Sequence, residues 1–221
     1  MNLGGHVTVA AEYFGDPMVH LGSALPDIAT IGGFKMLPHS AEGPVGRGVA
    51  FHHATDRLFH SHDWFTFRQK SVFDDLTDAG VGRGAARASA HVGVELLLDG
   101  ELFHDRPERS GSVVRAFEAA HAAPGISEVV PEVSRQRWRE HLSNLPNWRT
   151  PTYFRDPHSV AKRMESILSA RPRLAMKPDE VERVAAALAG VQPSIEDSAE
   201  DFLADLVDQL RRAASSEIEI G

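Results

Sequence analysis

The sequence is almost free of the alternating β-branched runs that form half-buried strands, and this constrains its fold more than any other feature. Alanine and leucine are frequent, whereas only two tyrosines occur among the 221 residues. Glycine and proline cluster at short breaks that separate segments of helical length. The pattern predicts an all-α protein, a single-domain helical bundle of about eight to ten helices, with segments near 1–14, 18–32, 43–62, 64–79, 84–104, 110–122, 128–143, 157–170, 178–190 and 196–213.

The net charge of −8 is unevenly distributed along the chain. Eleven acidic and three basic residues between 179 and 221 account for all of it. We therefore predict a helical core over 1–178 and acidic C-terminal helices over 179–221 that pack on or cap the same domain. An acidic protein repels the phosphate backbone, so nucleic-acid binding is not expected. The stretch 134–163 is locally basic and offers either a docking surface for an acidic partner or only solvated side chains, and its candidate binding residues are Arg135, Arg137 and Arg139.

Several classes of protein are disfavoured by what the sequence lacks. It has no cysteine, which rules out disulfides, cysteine-ligated zinc and cysteine nucleophiles. No apolar run approaches the ~20 residues that cross a bilayer, and the opening segment does not resemble a secretory signal. We therefore expect a cytoplasmic protein with no membrane partner. P-loop, HExxH and GxSxG motifs are missing, which disfavours P-loop nucleotide binding, zinc proteolysis and serine hydrolysis.

Histidines are numerous and concentrated in the first half of the chain, where nine of the twelve lie within 104 residues. His52, Asp56 and His60 are spaced four apart, which on a helix places three metal-capable side chains on one face. His91 and Glu95 repeat this spacing, and Glu95 lies within the apolar sequence VGVELLL, where an unpaired carboxylate is costly. Two such helices packed face to face surround a cation in many helical bundles. The alternative is a pair of ordinary amphipathic helices with polar outer faces.

The order of these segments resembles that of the acyl carrier protein phosphodiesterases, which are outlying relatives of the HD-type metal-dependent phosphohydrolases. The similar segments are, in order, MNLGGHVTVA, LGSALPDIATIG, GRGVAFHHATDRLFH, AHVGVELLLDGELF and, much later, SILSARPRL. The resemblance runs from Met1 to about Leu174 and implies an HD-domain-like helical core around a metal site. It also implies hydrolysis of a phosphodiester, which in that family is the phosphopantetheine link of holo-acyl carrier protein.

Carried over position by position, the resemblance implies a set of metal ligands and catalytic groups. His60, His91 and Glu95 stand where the family has aspartates, and each is still a residue type that binds metals. This nitrogen-rich set implies one or two divalent transition-metal ions, namely Mn²⁺, Fe, Zn²⁺ or Ni²⁺ rather than Mg²⁺. Glu95 and His60 are the catalytic candidates, each as a ligand or as the general base. The implied metal ligands are His6, Asp27, His52, Asp56 and His91, and the phosphate-binding candidates are Arg47 and Arg57 together with the arginines of 134–163.

Three functions remain open at this point. The first is a metal-dependent phosphodiesterase that acts on acyl carrier protein or, as a general phosphohydrolase, on a small phosphoester. The second is a non-catalytic interaction or structural protein with a degenerate or purely structural metal site, in which His60 and His91 hydrogen-bond to neighbouring carboxylates. The third is a metal-dependent hydrolase or oxygenase of different chemistry, because the same ligand types suit non-haem iron.

Overall fold

The computed structural model describes residues 1–38, 41–148, 151–169 and 171–218, with side chains at all of these except 151–152 and 214–218. Within these ranges it contains ten α-helices, four short 3₁₀ helices and no strand, which confirms the predicted all-helical fold. None of the helices described has both the length and the apolar character needed to cross a membrane. The α-helices are α1 (Leu3–Ala11), α2 (Pro17–Ile31), α3 (Gly43–Ser61), α4 (Asp63–Asp78), α5 (Arg83–Phe103), α6 (Pro107–Ala119), α7 (Arg135–Ser143), α8 (Pro157–Leu168), α9 (Glu180–Glu196) and α10 (Ala199–Ile218).

Two helices begin with an aspartate cap followed by proline. The side chain of Asp16 accepts a hydrogen bond from the backbone N–H of Met18 at 2.9 Å, and proline follows at the first position of α2. Asp156 precedes α8 in the same way and accepts from the backbone N–H of Ser159 at 3.0 Å. These side chains satisfy N–H groups that have no partner within the helix, while proline has no N–H to satisfy. The caps explain why the helix starts were predictable.

Several predicted helix bounds differ from those observed, for example 196–213 against α10 (Ala199–Ile218), and proline is involved in two of the differences. The single helix expected over 128–143 is instead a pair of 3₁₀ turns followed by α7. Pro131 lies between the two turns, where it lacks an N–H and disfavours helical geometry in the residue before it. The helix expected over 178–190 continues to Glu196 as α9, through Pro193. Pro193 lies in the last turn, where it removes only one hydrogen bond from the helix.

The chain divides into two compact units, each discontinuous in sequence. Two of the four boundaries fall within helices, namely α3 and α10. The predicted division into a core and an acidic C-terminal part stays a prediction. Unit 1 comprises Met1–Leu58, Asp105–Thr150 and Leu206–Gly221, and unit 2 comprises Phe59–His104 and Pro151–Asp205.

In unit 1, α1 is buried over nearly its whole length, from Leu3 to Ala10. It packs against α2 and α6. Trp138 of α7 is also fully buried, and its indole N–H donates to the carbonyl oxygen of Ile126 at 2.8 Å, so its polar atom is satisfied. Because α1 is enclosed in this way, its one ionisable side chain, His6, is held inside the unit.

In unit 2, α5 is the central helix and packs against α4, α8 and α9. Gly100 allows a very close approach, since a Cβ there would lie 2.5 Å from the backbone nitrogen of Arg155. The guanidinium of Arg155 pairs with the carboxylate of Glu101 at 2.9 Å. The apolar side chains of α5 are buried among these neighbours, and its polar residues His91 and Glu95 lie in the middle of the same helix.

Candidate metal centres

Two clusters of metal-capable side chains occur among the described residues, and each lies within one unit. In each cluster, every residue offers a ligand atom that lies within 4.8 Å of the ligand atoms of the other two. Six of the seven residues predicted as ligands or catalytic groups are therefore distributed over two sites. Cluster 1, in unit 1, consists of His6, His52 and Asp56, and cluster 2, in unit 2, consists of His60, His91 and Glu95.

Cluster 1 joins helix α1 to helix α3. The side chains of His6 and His52 are buried, and their ring centroids lie 3.9 Å apart with the ring planes inclined by 32°. The Nε2 atom of His6 lies 3.6 Å from Oδ1 of Asp56, whose side chain is 35% exposed. Cluster 1 thus combines two buried imidazoles, those of His6 and His52, with the partly exposed carboxylate of Asp56. This donor set fits a divalent transition metal.

Two glycines let α2 and α3 approach closely, and this positions His52. A Cβ on Gly22 would lie 2.2 Å from the carbonyl oxygen of Val45, and a Cβ on Gly48 would lie 2.2 Å from the backbone of α2. No larger residue fits either position unless one helix moves. His52 follows Gly48 by one helical turn, and its Nδ1 lies 2.8 Å from the carbonyl oxygen of Ser23 on α2.

The contact with Ser23 determines the tautomer of His52. A carbonyl oxygen only accepts hydrogen bonds, so Nδ1 of His52 carries the proton and donates it. In the neutral ring, the other nitrogen, Nε2, then presents a lone pair. Histidine ligands in metal centres are oriented by the same kind of hydrogen bond from the nitrogen that does not bind the metal.

The electrostatics of cluster 1 also suit a ligand role. Burial, and secondly the neighbouring imidazole of His6, lower the pKa of His52 to about 3. His52 is therefore neutral at physiological pH, as a histidine must be in order to bind a metal. The amino group of Met1 lies 3.4 Å from Oδ1 of Asp56 and donates to it, so this carboxylate already has a cationic neighbour.

Cluster 2 is a carboxylate contacted by two imidazoles. The Oε1 atom of buried Glu95 lies 3.0 Å from Nε2 of His60 and 3.3 Å from Nε2 of His91. The side-chain amide nitrogen of Gln69, on α4, lies 3.2 Å from Nδ1 of His91. Because an ionised carboxylate only accepts, both Nε2 atoms donate to it, and the Gln69 amide donates to the remaining nitrogen of His91.

The polar groups of cluster 2 thus hydrogen-bond to one another and to Gln69. Burial raises the pKa of Glu95, but the pKa is lowered overall by groups that include the hydrogen-bonding imidazoles of His60 and His91. The carboxylate is accordingly ionised at neutral pH. A metal that bound through the two Nε2 atoms would have to displace their protons. In cluster 1, by contrast, Nε2 of His52 presents its lone pair without such a step.

The other predicted site residues are not members of either cluster. Asp27 is half-buried on α2, and Arg47 and Arg57 are exposed on α3. Their metal-binding and phosphate-binding roles stay predictions, as do those of the arginines on α7. On α7, Arg135 is half-buried, and Arg137 and Arg139 are exposed.

Two contacts that orient the cluster residues were missed by sequence reasoning. The first is the carbonyl oxygen of Ser23 at His52, and backbone groups leave no signal in the residue types. The second is the amide of Gln69 at His91. Gln69 precedes His91 by 22 residues, and only the packing of α4 against α5 brings the two together.

Comparison of the chain with protein-family profiles, with curated protein sequences and with solved structures finds no match. The functional interpretation therefore rests on the cluster geometry and on the resemblance carried by the sequence segments. Of these two, the geometry of cluster 1 is the more specific, because it combines placement, burial and protonation state at named atoms.

Proposed function

We propose that this chain is a metal-dependent phosphohydrolase with an HD-type helical core, acting on a phosphodiester. His6, His52 and Asp56 would hold a divalent transition-metal ion. The observation that carries the proposal is the meeting of two buried imidazoles and a carboxylate, each with a ligand atom within 4.8 Å of the others. The resemblance to the acyl carrier protein phosphodiesterases supports the choice of reaction.

The protonation state of His52 supports a ligand role over a purely packing role. Its Nδ1 proton is used by the Ser23 carbonyl oxygen, so Nε2 is left with a lone pair inside a cluster that also holds a carboxylate. A set of two nitrogens and one oxygen favours Mn²⁺, Fe, Zn²⁺ or Ni²⁺ over Mg²⁺, which prefers oxygen ligands.

A divalent ion held by cluster 1 would supply Lewis-acid activation of water and of the phosphoryl oxygen. The chain's own contribution is to fix the ligand orientation through α2 and to leave the carboxylate of Asp56 partly open to solvent. The general-base role of Glu95 or His60 stays a prediction.

The substrate class follows from the resemblance, and two substrates fit it. Acyl carrier proteins are acidic, and the exposed Arg137 and Arg139 of α7 present positive charge that would attract such a partner. A small phosphoester is the other substrate that we propose. It needs no protein docking surface.

The test is hydrolysis of a chromogenic phosphodiester, bis(p-nitrophenyl) phosphate, by chelator-treated protein to which Mn²⁺ is added back. We expect hydrolysis that depends on Mn²⁺ and that falls about a hundredfold or more in Asp56→Ala, since removal of one oxygen ligand opens the site. Asp78→Ala is the matched control, because Asp78 is an exposed aspartate at the end of α4. Equal rates in the two variants would remove the basis of the proposal.

A second candidate function is a non-catalytic helical protein, and cluster 2 is the observation that favours it. His60 and His91 both hydrogen-bond to Glu95, as expected of a cluster that has no cation. Under this alternative, divalent ions produce no hydrolysis, and they raise the free energy of unfolding only if the metal site is structural. Asp56→Ala would then change stability alone.

A further inference from the structure

A groove of about 310 Å³ lies between α4 and α5 in unit 2. Its residues on α4 are three or four apart and so belong to one helical face, and its two arginines on α5 are also four apart. Four of the six lining side chains are exposed, so the groove is open to solvent. It is lined by Thr66, Gln69, Lys70, Phe73, Arg83 and Arg87.

The groove has positive charge that its own surroundings do not neutralise. Lys70 forms an ion pair with Asp74, one turn further along α4. In the part of the chain that the structure describes, no carboxylate pairs with the guanidinium of Arg83 or Arg87. Each guanidinium carries a planar fork of N–H donors that can bind two phosphate oxygens at once, and the two arginines are one helical turn apart.

The two arginines lie on the same stripe of α5 as cluster 2. Arg83, Arg87, His91 and Glu95 follow one another at intervals of four residues, each a rise of about 6 Å along the helix. Gln69, which lines the groove, also contacts Nδ1 of His91 at 3.2 Å. The groove therefore adjoins cluster 2 along α5 and through the Gln69 amide.

We propose that this groove binds a small organic phosphate, with its phosphate group between Arg83 and Arg87 and its organic part against the half-buried ring of Phe73. The volume is at the lower end of the range of about 300–1,000 Å³ for small-molecule sites, so the ligand is a compact ester rather than a dinucleotide. The binding itself is independent of cluster 1. The proposal therefore does not depend on the proposed phosphohydrolase function.

The experiment is an NMR titration of the full chain in chelator, first with inorganic phosphate and then with phenyl phosphate. Chelator keeps the measurement independent of any metal, so failure here and failure of the metal-dependent hydrolysis are separate results. We expect saturable shifts that include the side-chain amide of Gln69. Phenyl phosphate should bind about threefold or more tightly than inorganic phosphate, because its ring adds contact with Phe73.

Three variants separate the parts of the proposal. Arg83→Gln combined with Arg87→Gln should weaken both ligands about tenfold or more, because both ligands use the guanidinium donors. Phe73→Ala should abolish the preference for phenyl phosphate and leave inorganic phosphate binding unchanged. Lys162→Gln removes one positive charge from an exposed position on α8 and should leave both affinities unchanged.

Two results would overturn the proposal. One is the lack of saturable shifts with either ligand in the wild-type chain. The other is an unchanged affinity in the double arginine variant, once circular dichroism has shown that the variant is folded. Since both arginines are exposed, their replacement is not expected to alter the thermal midpoint of unfolding.

Discussion

The imidazole rings of His6 and His52 lie with their centroids 3.9 Å apart, buried between α1 and α3. At this distance a charge on one ring disfavours a charge on the other, and burial disfavours a charge on either. His52 is therefore neutral, the form in which histidine binds metals. The carboxylate of Asp56, 3.6 Å from Nε2 of His6, adds an oxygen ligand to these nitrogens.

Acid should destabilise the metal-free protein through His52. Its pKa is about 3 in the folded chain and 6.5 in the unfolded reference, so the unfolded state holds more protons between these values. The contribution of His52 to the free energy of unfolding should be constant above pH 6.5 and should fall by about 1 kcal/mol per pH unit as the pH decreases towards 3. Urea denaturation at a series of pH values measures this slope.

Replacement of His52 by glutamine should make that slope shallower by the same amount. The matched control is His53→Gln, because His53 is the next residue on α3 and its side chain is exposed. The control should retain the wild-type slope. Identical slopes in the two variants would contradict the burial argument.

Glu95 should be needed for the stability of unit 2. Glu95→Ala removes the acceptor of two imidazole N–H groups and should lower the free energy of unfolding by about 2–4 kcal/mol. Glu95→Gln retains a carbonyl oxygen and should cost less. Glu182→Ala is the control, since the side chain of Glu182 is 73% exposed and its loss should change stability by less than about 0.5 kcal/mol. A loss in Glu95→Ala no larger than in the control would show that cluster 2 is not a stabilising network.

The four-residue spacings predicted part of both clusters, because four residues form about one helical turn. His52 and Asp56 belong to one cluster, and His91 and Glu95 to the other. The spacing did not predict that His60 belongs to cluster 2, with residues of α5, rather than to cluster 1 with His52 and Asp56. That choice depends on which helix packs against each turn of α3, and tertiary packing is not contained in the periodicity of one helix.

Most helices could be predicted because local residues determine where a helix begins and ends. The exceptions depend on tertiary packing. Aspartate caps and glycine or proline breaks act locally, so residues near each helix end determine it. Pro131 and Pro193 have the same residue type but different consequences. The first separates two 3₁₀ turns, and the second lies inside the last turn of α9. Which effect prevails depends on the packing around each proline, which the sequence pattern does not describe.

The contact between α2 and α3 should tolerate no side chain at Gly48. Gly48→Ala places a methyl group 2.2 Å from a backbone oxygen of α2, so we expect a loss of about 1–3 kcal/mol in the free energy of unfolding. It should also weaken divalent-metal binding, because a shift of α3 moves His52 away from the Ser23 carbonyl oxygen. Thermal denaturation and metal titration measure the two effects.

The control for that substitution is Gly190→Ala. Gly190 lies on the exposed face of α9, and a Cβ there would meet nothing within 4 Å. Alanine has the higher helix propensity, so this variant should gain up to about 1 kcal/mol and bind metal as the wild type does. A Gly48→Ala protein as stable as this control would show that the two helices are not tightly apposed.

The most direct test of the central claim is anomalous X-ray diffraction from crystals of the full chain grown with Zn²⁺. We expect an anomalous peak in cluster 1, at about 2.0–2.2 Å from one nitrogen of His6, from Nε2 of His52 and from a carboxylate oxygen of Asp56. Crystals with Zn²⁺ in the solution but no peak within reach of these three residues would contradict it.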